Sequence, residues 1–240
     1  MLLETDIRKS LPHFALDIRF SCPAGELLSL AGPSGAGKTT VIRILAGLES
    51  PDAGTIRLGP KTLYDSDRKI HMETRKRKLG YVFQEASLFP HLHIRDNVAF
   101  GSDDPSRIDP LLELLGITHL ADKKPAHISG GERQRAALAQ ALASGPDLLL
   151  LDEPFSALDI KTRHSLQQKF LEIKKQLQIP IILVTHDLQE AAVLSDQIVA
   201  MEDGKRNDEW LDRFQGLVLP RKAHVEEKPV VARQDKSCAG

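Results

Sequence analysis

Apolar and polar positions alternate over Ala15-Leu16-Asp17-Ile18-Arg19-Phe20, a period of two that predicts a strand with one covered face, and residues 1–31 as a whole read as strands. The pattern then changes. Leu27-Leu28-Ser29-Leu30-Ala31 is an apolar run suited to a buried strand. Val41-Ile42-Arg43-Ile44-Leu45 follows, and a helix over 38–47 is expected to close at Gly47. Ser50-Pro51-Asp52-Ala53-Gly54 reads as a turn before a short strand at 55–58. Residues 59–78 are polar, and their basic cluster Arg75-Lys76-Arg77-Lys78 is expected to be a solvated face rather than a phosphate or nucleic-acid patch.

Further along, 79–84 predicts a buried strand that delivers Gln84 at its C-terminal end, the edge where open α/β sheets place ligands. From 87 to 127 the apolar spacing is helical and broken by Gly101, Pro105, Pro110 and Gly116, which describes a small helical insert. Ser129 opens a helix with an Ala-rich body that ends at Gly145-Pro146. Asp147 and four leucines then lead into Asp152-Glu153-Pro154, a buried strand with two carboxylates at its tip. A helix over 160–178, a buried strand over 180–185 delivering His186-Asp187, a helix over 188–194 and a strand over 197–201 complete the periodic part. Strands alternating with helices point to an α/β fold with a mainly parallel sheet. Beyond Lys205 one amphipathic turn is expected near Trp210, and 221–240 reads as a floppy tail.

Charge adds little to this picture. The net charge of −1 gives no overall basic field, so nucleic acid is not an expected partner. Cys22 and Cys238 supply neither a disulfide framework nor metal-ligand spacing, which suits a reducing cytoplasm. His91 and His93, with no third ligand nearby, are expected to face solvent or a partner rather than a metal. No apolar run approaches the roughly eighteen residues of a membrane span, and the short acidic N-terminus does not read as a signal peptide. A membrane role is expected only through a partner.

Candidate chemistry starts at Gly32-Pro33-Ser34-Gly35-Ala36-Gly37-Lys38-Thr39-Thr40, which fits the G-x-x-x-x-G-K-[ST] pattern between a strand and a helix. Successive backbone N–H groups and a helix N-terminus would hold a nucleotide phosphate chain. Lys38 would reach its β- and γ-phosphates, Thr39 would place a hydroxyl on Mg²⁺, and Thr40 would lie near the α-phosphate. With Gln84, Asp152-Glu153 and His186 at other strand ends, the set suits phosphate-ester hydrolysis. Asp152 fits the magnesium role and Glu153 the water-directed base.

Ile128-Ser129-Gly130-Gly131-Glu132-Arg133-Gln134 resembles the LSGGQ signature of the ATP-binding cassette (ABC) ATPases, with Ile and Glu in place of Leu and Gln. The remaining motifs follow in that family's order: the phosphate loop, Gln84, the signature, Asp152-Glu153, Ser156-Ala157-Leu158-Asp159 and His186. The resemblance implies a P-loop NTPase fold with an N-terminal antiparallel β-subdomain and a helical subdomain at about 87–145. That domain would cover 1–204, followed by a short 205–240 extension without a regulatory β-domain. It also implies a head-to-tail homodimer in which ATP lies between the phosphate loop of one copy and Ser129, Gly130 and Gly131 of the other. Gln84 would couple Mg²⁺ and the lytic water to the helical insert, Asp159 would bridge the dimer and His186 would sense the γ-phosphate. The family commonly stacks adenine on an aromatic residue near Ser10-Leu11, where this chain has none; His13 and Phe14 are the nearby rings. Residues 83–92 and 96–101 resemble bacterial and archaeal importer ATPases, most of all the molybdate, sulfate and polyamine group. A peripheral place on the cytoplasmic membrane face follows, with permease subunits and a solute-binding protein as partners. The alternative is a stand-alone cassette acting on nucleic acid or ribosomes, a class that usually carries coiled-coil insertions or two cassettes.

Overall fold

The computed structural model describes residues 1–156, 158–212 and 221–222. The alternating stretches become β1 (Leu2–Ser10) and β2 (Ala15–Pro23), antiparallel and in register from Leu2↔Pro23 to Ser10↔Ala15, each burying every second side chain. The apolar run becomes β3 (Leu27–Ala31), buried at all five positions, and the phosphate loop joins it to α1 (Lys38–Ala46). Next come β4 (Ala53–Leu58), β5 (Lys61–Asp65) and β6 (Ile70–His71), which extend the antiparallel sheet from β1 outward. The polar reading of 59–78 therefore missed a hairpin that buries Leu63 and Tyr64, because two apolar residues among charges carry no measurable period.

β7 (Leu79–Val82) leads into the helical insert of α2 (Ile94–Ala99), α3 (Ile108–Leu114) and α4 (Gly130–Ala143). Its core includes Ile94, Val98, Leu112 and Leu138, and the small Ala136 and Ala139 of α4 permit close helix approach. The chain then runs through β8 (Leu148–Asp152), α5 (Ile160–Lys174), β9 (Ile181–Thr185), α6 (Leu188–Leu194) and β10 (Gln197–Glu202). These strands make a parallel array in the order β10-β3-β9-β8-β7. Its two faces carry separate cores, because neighbouring residues of a strand point to opposite sides. Leu148, Leu150 and Ile182 pack with α1, while Leu149, Leu151 and Leu183 pack with α5 and the insert.

β11 (Lys205–Arg206) joins the two halves, pairing with β10 on one side and β2 on the other. α7 (Glu209–Asp212) follows and buries Trp210 and Leu211 against Leu188, Ala191 and Ile198. Order thus continues past Gly204 through Asp212, and Arg221–Lys222 pairs with β10 as β12. The rest of the expected floppy tail, with Cys238, lies outside the described residues.

Candidate active site

The phosphate loop leaves β3 between β9 and β10, and its first glycine is there for steric reasons. A β-carbon on Gly32 would sit 2.1 Å from the carbonyl oxygen of Met201. Gly35 (φ 85°) and Gly37 (φ 94°) turn the chain through the left-handed region that glycine tolerates. Gly37 is the N-cap of α1 and has no side chain, so the helix's leading N–H groups lack a side-chain acceptor. Lys38 is only 4 % exposed, and its Nζ donates to the carbonyls of Gly32 and Pro33 at 2.8 Å each. Burial pulls its pKa below the ordinary lysine value, against the pull of Glu153 and Asp152. A buried cation beside the positive end of a helix dipole is unfavourable by itself, and an anion resolves the mismatch. The uncapped turn and Lys38 therefore fit a phosphate chain.

Across the cleft, Asp152 ends β8 in a buried position. Its Oδ1 accepts from the Thr39 hydroxyl at 3.4 Å and its Oδ2 from the Tyr81 hydroxyl at 3.2 Å. Burial raises its pKa, and the Tyr81 and Thr39 hydrogen bonds oppose the rise. One carboxylate and one hydroxyl in contact form a donor set that suits Mg²⁺, which keeps water and phosphate oxygens in its remaining positions. Among the described residues no cluster of His, Cys, Asp or Glu large enough to hold a metal exists, so such an ion would need those phosphate oxygens. Sequence reasoning missed Tyr81. Its signal is the parallel register that sets Tyr81 beside Leu150, two residues before the acid.

Glu153 adopts a left-handed backbone (φ 47°), anchored by its N–H to the Val184 carbonyl at 3.0 Å. Its partners differ from those of Asp152. Oε2 lies 3.1 Å from His186 Nδ1 and 3.5 Å from Gln84 Nε2, so three side chains from the ends of three strands converge. A cleft of about 670 Å³ is lined by Lys38, Thr39, Thr40, Gln84, Glu153 and His186. Its lip is the β1–β2 turn, Leu11 to Phe14. Phe14 is half-buried with its ring against Gly37 and Gly204, and His13 is exposed.

The His186 loop is itself braced. Asp187 caps α6 by accepting from the N–H groups of Gln189 and Glu190, and pairs with Arg163 at 3.3 Å. Beneath it Glu190 is buried, which pushes its pKa up to about 7, and Gln167 donates to it at 3.5 Å. No sequence pattern marked this acid.

The remaining candidates lie elsewhere. Ser129 caps α4, accepting from the Glu132 N–H at 3.3 Å while its own N–H donates to the Glu132 carboxylate at 2.7 Å. This hydrogen bond lowers the Glu132 pKa. Gly130 and Gly131 form the first turn behind that cap. Asp159 caps α5, accepting from the Thr162 N–H at 3.1 Å. None of Ser129, Gly130, Gly131 and Asp159 lines the cleft of its own chain. Ala157, between the two acidic motifs, lies outside the described residues.

Residues 15–156 match the family model described as ABC transporter. The molybdenum import ATP-binding protein ModC of Haemophilus influenzae is 42% identical over 205 residues, 85% of this chain and 58% of that protein. The sulfate/thiosulfate import ATP-binding protein CysA of Neisseria meningitidis serogroup A is 47% identical, over 80% of this chain and 56% of that protein. The chain spans a little over half the length of these relatives. A dimeric ATP-binding cassette, MJ0796, solved in a post-hydrolysis state with ADP and Pi, superposes with a TM-score of 0.70 at 28% identity, covering 86% of this chain and 97% of that one. The cbiO1 protein of Clostridium perfringens, part of the ABC transporter complex cbiONQ, gives 0.75 at 26% identity, covering 88% and 90%. Sequence likeness over most of the chain and a shared fold agree with the order of the motifs around the cleft: the chain belongs to the ABC transporter family and folds as its ATP-binding cassette.

Proposed function

We propose that this chain hydrolyses ATP as the nucleotide-binding subunit of an importer for molybdate or a related oxyanion, working as a homodimer. The observation that carries the catalytic part is the convergence of Gln84, Glu153 and His186 at a cleft whose opposite wall is the Lys38 and Thr39 cradle. Gly35 to Thr40 and the Lys38 ammonium bind the phosphates. Thr39 and Asp152 would hold Mg²⁺, which would supply charge neutralisation on the phosphate oxygens. Glu153 Oε2 takes a proton from the attacking water as that oxygen bonds to the γ-phosphorus, and the bond to the β-bridging oxygen breaks. His186 orients the carboxylate and would contact the γ-phosphate, while Gln84, also beside Glu153, would help hold the water and the ion. At the cleft's lip, His13 and Phe14 are the rings available to the base.

The dimer is supported by the placement of the signature. The α4 N-terminus with Ser129, Gly130 and Gly131 is a second anion-binding element outside the chain's own cleft, so a second copy has to bring it to the γ-phosphate, with Asp159 at the same junction. The ModC and CysA likenesses support a role in transport, and the partners we infer are permease subunits and a solute-binding protein, at the cytoplasmic membrane face. No helix among the described residues is long and apolar enough to cross a membrane.

The test is Glu153→Gln. ATP affinity is expected to stay within about twofold while turnover falls roughly 10²–10⁴-fold, the range of a lost general base. Wild-type turnover in this variant would remove the assignment.

A further inference from the structure

The signature helix and the Asp159 loop of one chain touch, and Gly131 is the point of contact. A β-carbon on Gly131 would lie 2.4 Å from Thr162 Cγ2 and 3.8 Å from Leu158 Cδ2. One on Gly130 would meet nothing closer than the Arg133 guanidinium, at 3.9 Å. Neither glycine has a left-handed backbone, so conformational freedom does not explain Gly131; the Thr162 methyl does. The backbone of Thr162 is held in place. It stands in the first turn of α5 with its N–H fixed to Asp159, and a β-branched side chain has few rotamers there.

Two capped helix ends therefore abut. On α4 the Ser129–Glu132 capping box sets the first turn, and on α5 the Asp159 cap does the same. The bracing runs on from this seam: Arg163, next to Thr162, donates to the Leu158 carbonyl and pairs with Asp187, the neighbour of His186.

We propose that Thr162 is a positioning residue that docks the first turn of the signature helix onto the Asp159 loop, so that the two segments offered to a second copy move as one block. This rests on the shared-site reading above. Its consequence is metric. A donor placed about 1 Å out of position costs on the order of 100-fold in rate, so a methyl filling the seam should be felt as strongly as a lost ligand.

The experiment compares Gly131→Ala, Thr162→Ala, Thr162→Val and the double variant Gly131→Ala/Thr162→Ala in steady-state ATPase, monomer ATP binding and ATP-dependent dimerisation. Gly131→Ala is expected to lower kcat by about 100-fold with monomer ATP affinity unchanged. The double variant, in which only ordinary contacts near 3.8 Å remain at the new methyl, is expected to recover at least about tenfold of that loss. A double variant no faster than Gly131→Ala, or a Gly131→Ala enzyme as fast as wild type, overturns the proposal. Should Gly131→Ala not fold, the Thr162 pair decides. Val keeps both γ-branches and is expected to retain kcat, whereas Ala opens the seam and lowers kcat several-fold without changing monomer ATP affinity; equal rates for the two overturn it. Wild-type protein that does not dimerise with ATP would instead remove the shared-site reading itself.

Discussion

Helix α1 meets a buried cation at each end, one matched to its surroundings and the other not. At its C-terminal end Arg77, 1 % exposed, donates from Nη1 to the carbonyls of Ile44 (2.9 Å) and Leu45 (2.7 Å) and from Nε to Met72 (2.9 Å). The first two are last-turn carbonyls at the negative end of the dipole, and that of Ile44 also accepts from the Gly47 N–H at 3.0 Å. Gly47 makes the room, since a β-carbon there would lie 2.7 Å from the guanidinium carbon. Burial lowers the Arg77 pKa to about 10, which leaves it charged at neutral pH. At the other end Lys38 lies at the positive end of the same dipole, hydrogen-bonded to two loop carbonyls, and the carboxylates of Glu153 and Asp152 only partly offset its burial. A buried charge with its complement already in place is structure, and one held against its own sign is a binding site.

Three measurements break or sharpen that contrast. Arg77→Ala removes three buried hydrogen bonds and the cation at the negative end of α1, and is expected to cost roughly 3 kcal/mol of unfolding free energy, read as a lower urea midpoint. Its folded fraction should bind ATP normally, and an unchanged midpoint would show that the guanidinium does not secure α1. Lys38→Met is expected to do the reverse. Loss of charge-assisted bonds to phosphate removes about 2–3 kcal/mol of ATP binding, on the order of 100-fold, while stability without nucleotide stays within about 1 kcal/mol. A large loss of nucleotide-free stability would mean that Lys38, like Arg77, is a structural cation. The smallest effect concerns the buried acid behind His186, where Asp187 lies on the same segment and Thr185, Gln167, Arg163 and His186 face it. Its pKa is raised above the unfolded value, so its contribution is present at low pH and is lost as pH rises through about 7. From pH 5 to 8, wild type should lose on the order of 1–2 kcal/mol relative to Glu190→Gln, and parallel pH curves would refute the buried, proton-holding state.

Lys38 was legible because its neighbours spell a motif and a strand and a helix flank it. Arg77 was not, because nothing in Arg75-Lys76-Arg77-Lys78 distinguishes the one side chain that turns inward from the three that stay in water. The same division runs through the molecule. Fully apolar strands and the polar residues at their ends were readable: the structure brings Gln84, Glu153 and His186 to one cleft and sets Asp152 against Thr39, which also lines it. Tyr81, Glu190 and the Gly131–Thr162 seam depend on pairings between distant segments, and no local period reports those. Asp159 was expected through resemblance as a bridge between copies, and within its own chain it caps α5. The single amphipathic turn expected near Trp210 is present as α7, which buries Trp210 and Leu211.

Gly32 separates two kinds of constraint that the motif spells as one. No side chain fits beneath the Met201 carbonyl, whether or not a nucleotide ever binds. A descendant of this chain released from ATP could let Lys38 drift if, as proposed, the buried ammonium serves the ligand rather than the sheet. It would still keep Gly32 for as long as β3 and β10 stayed paired. Along such a lineage the first letter of the phosphate loop would record ancestry, and the lysine would record whether the chemistry had survived.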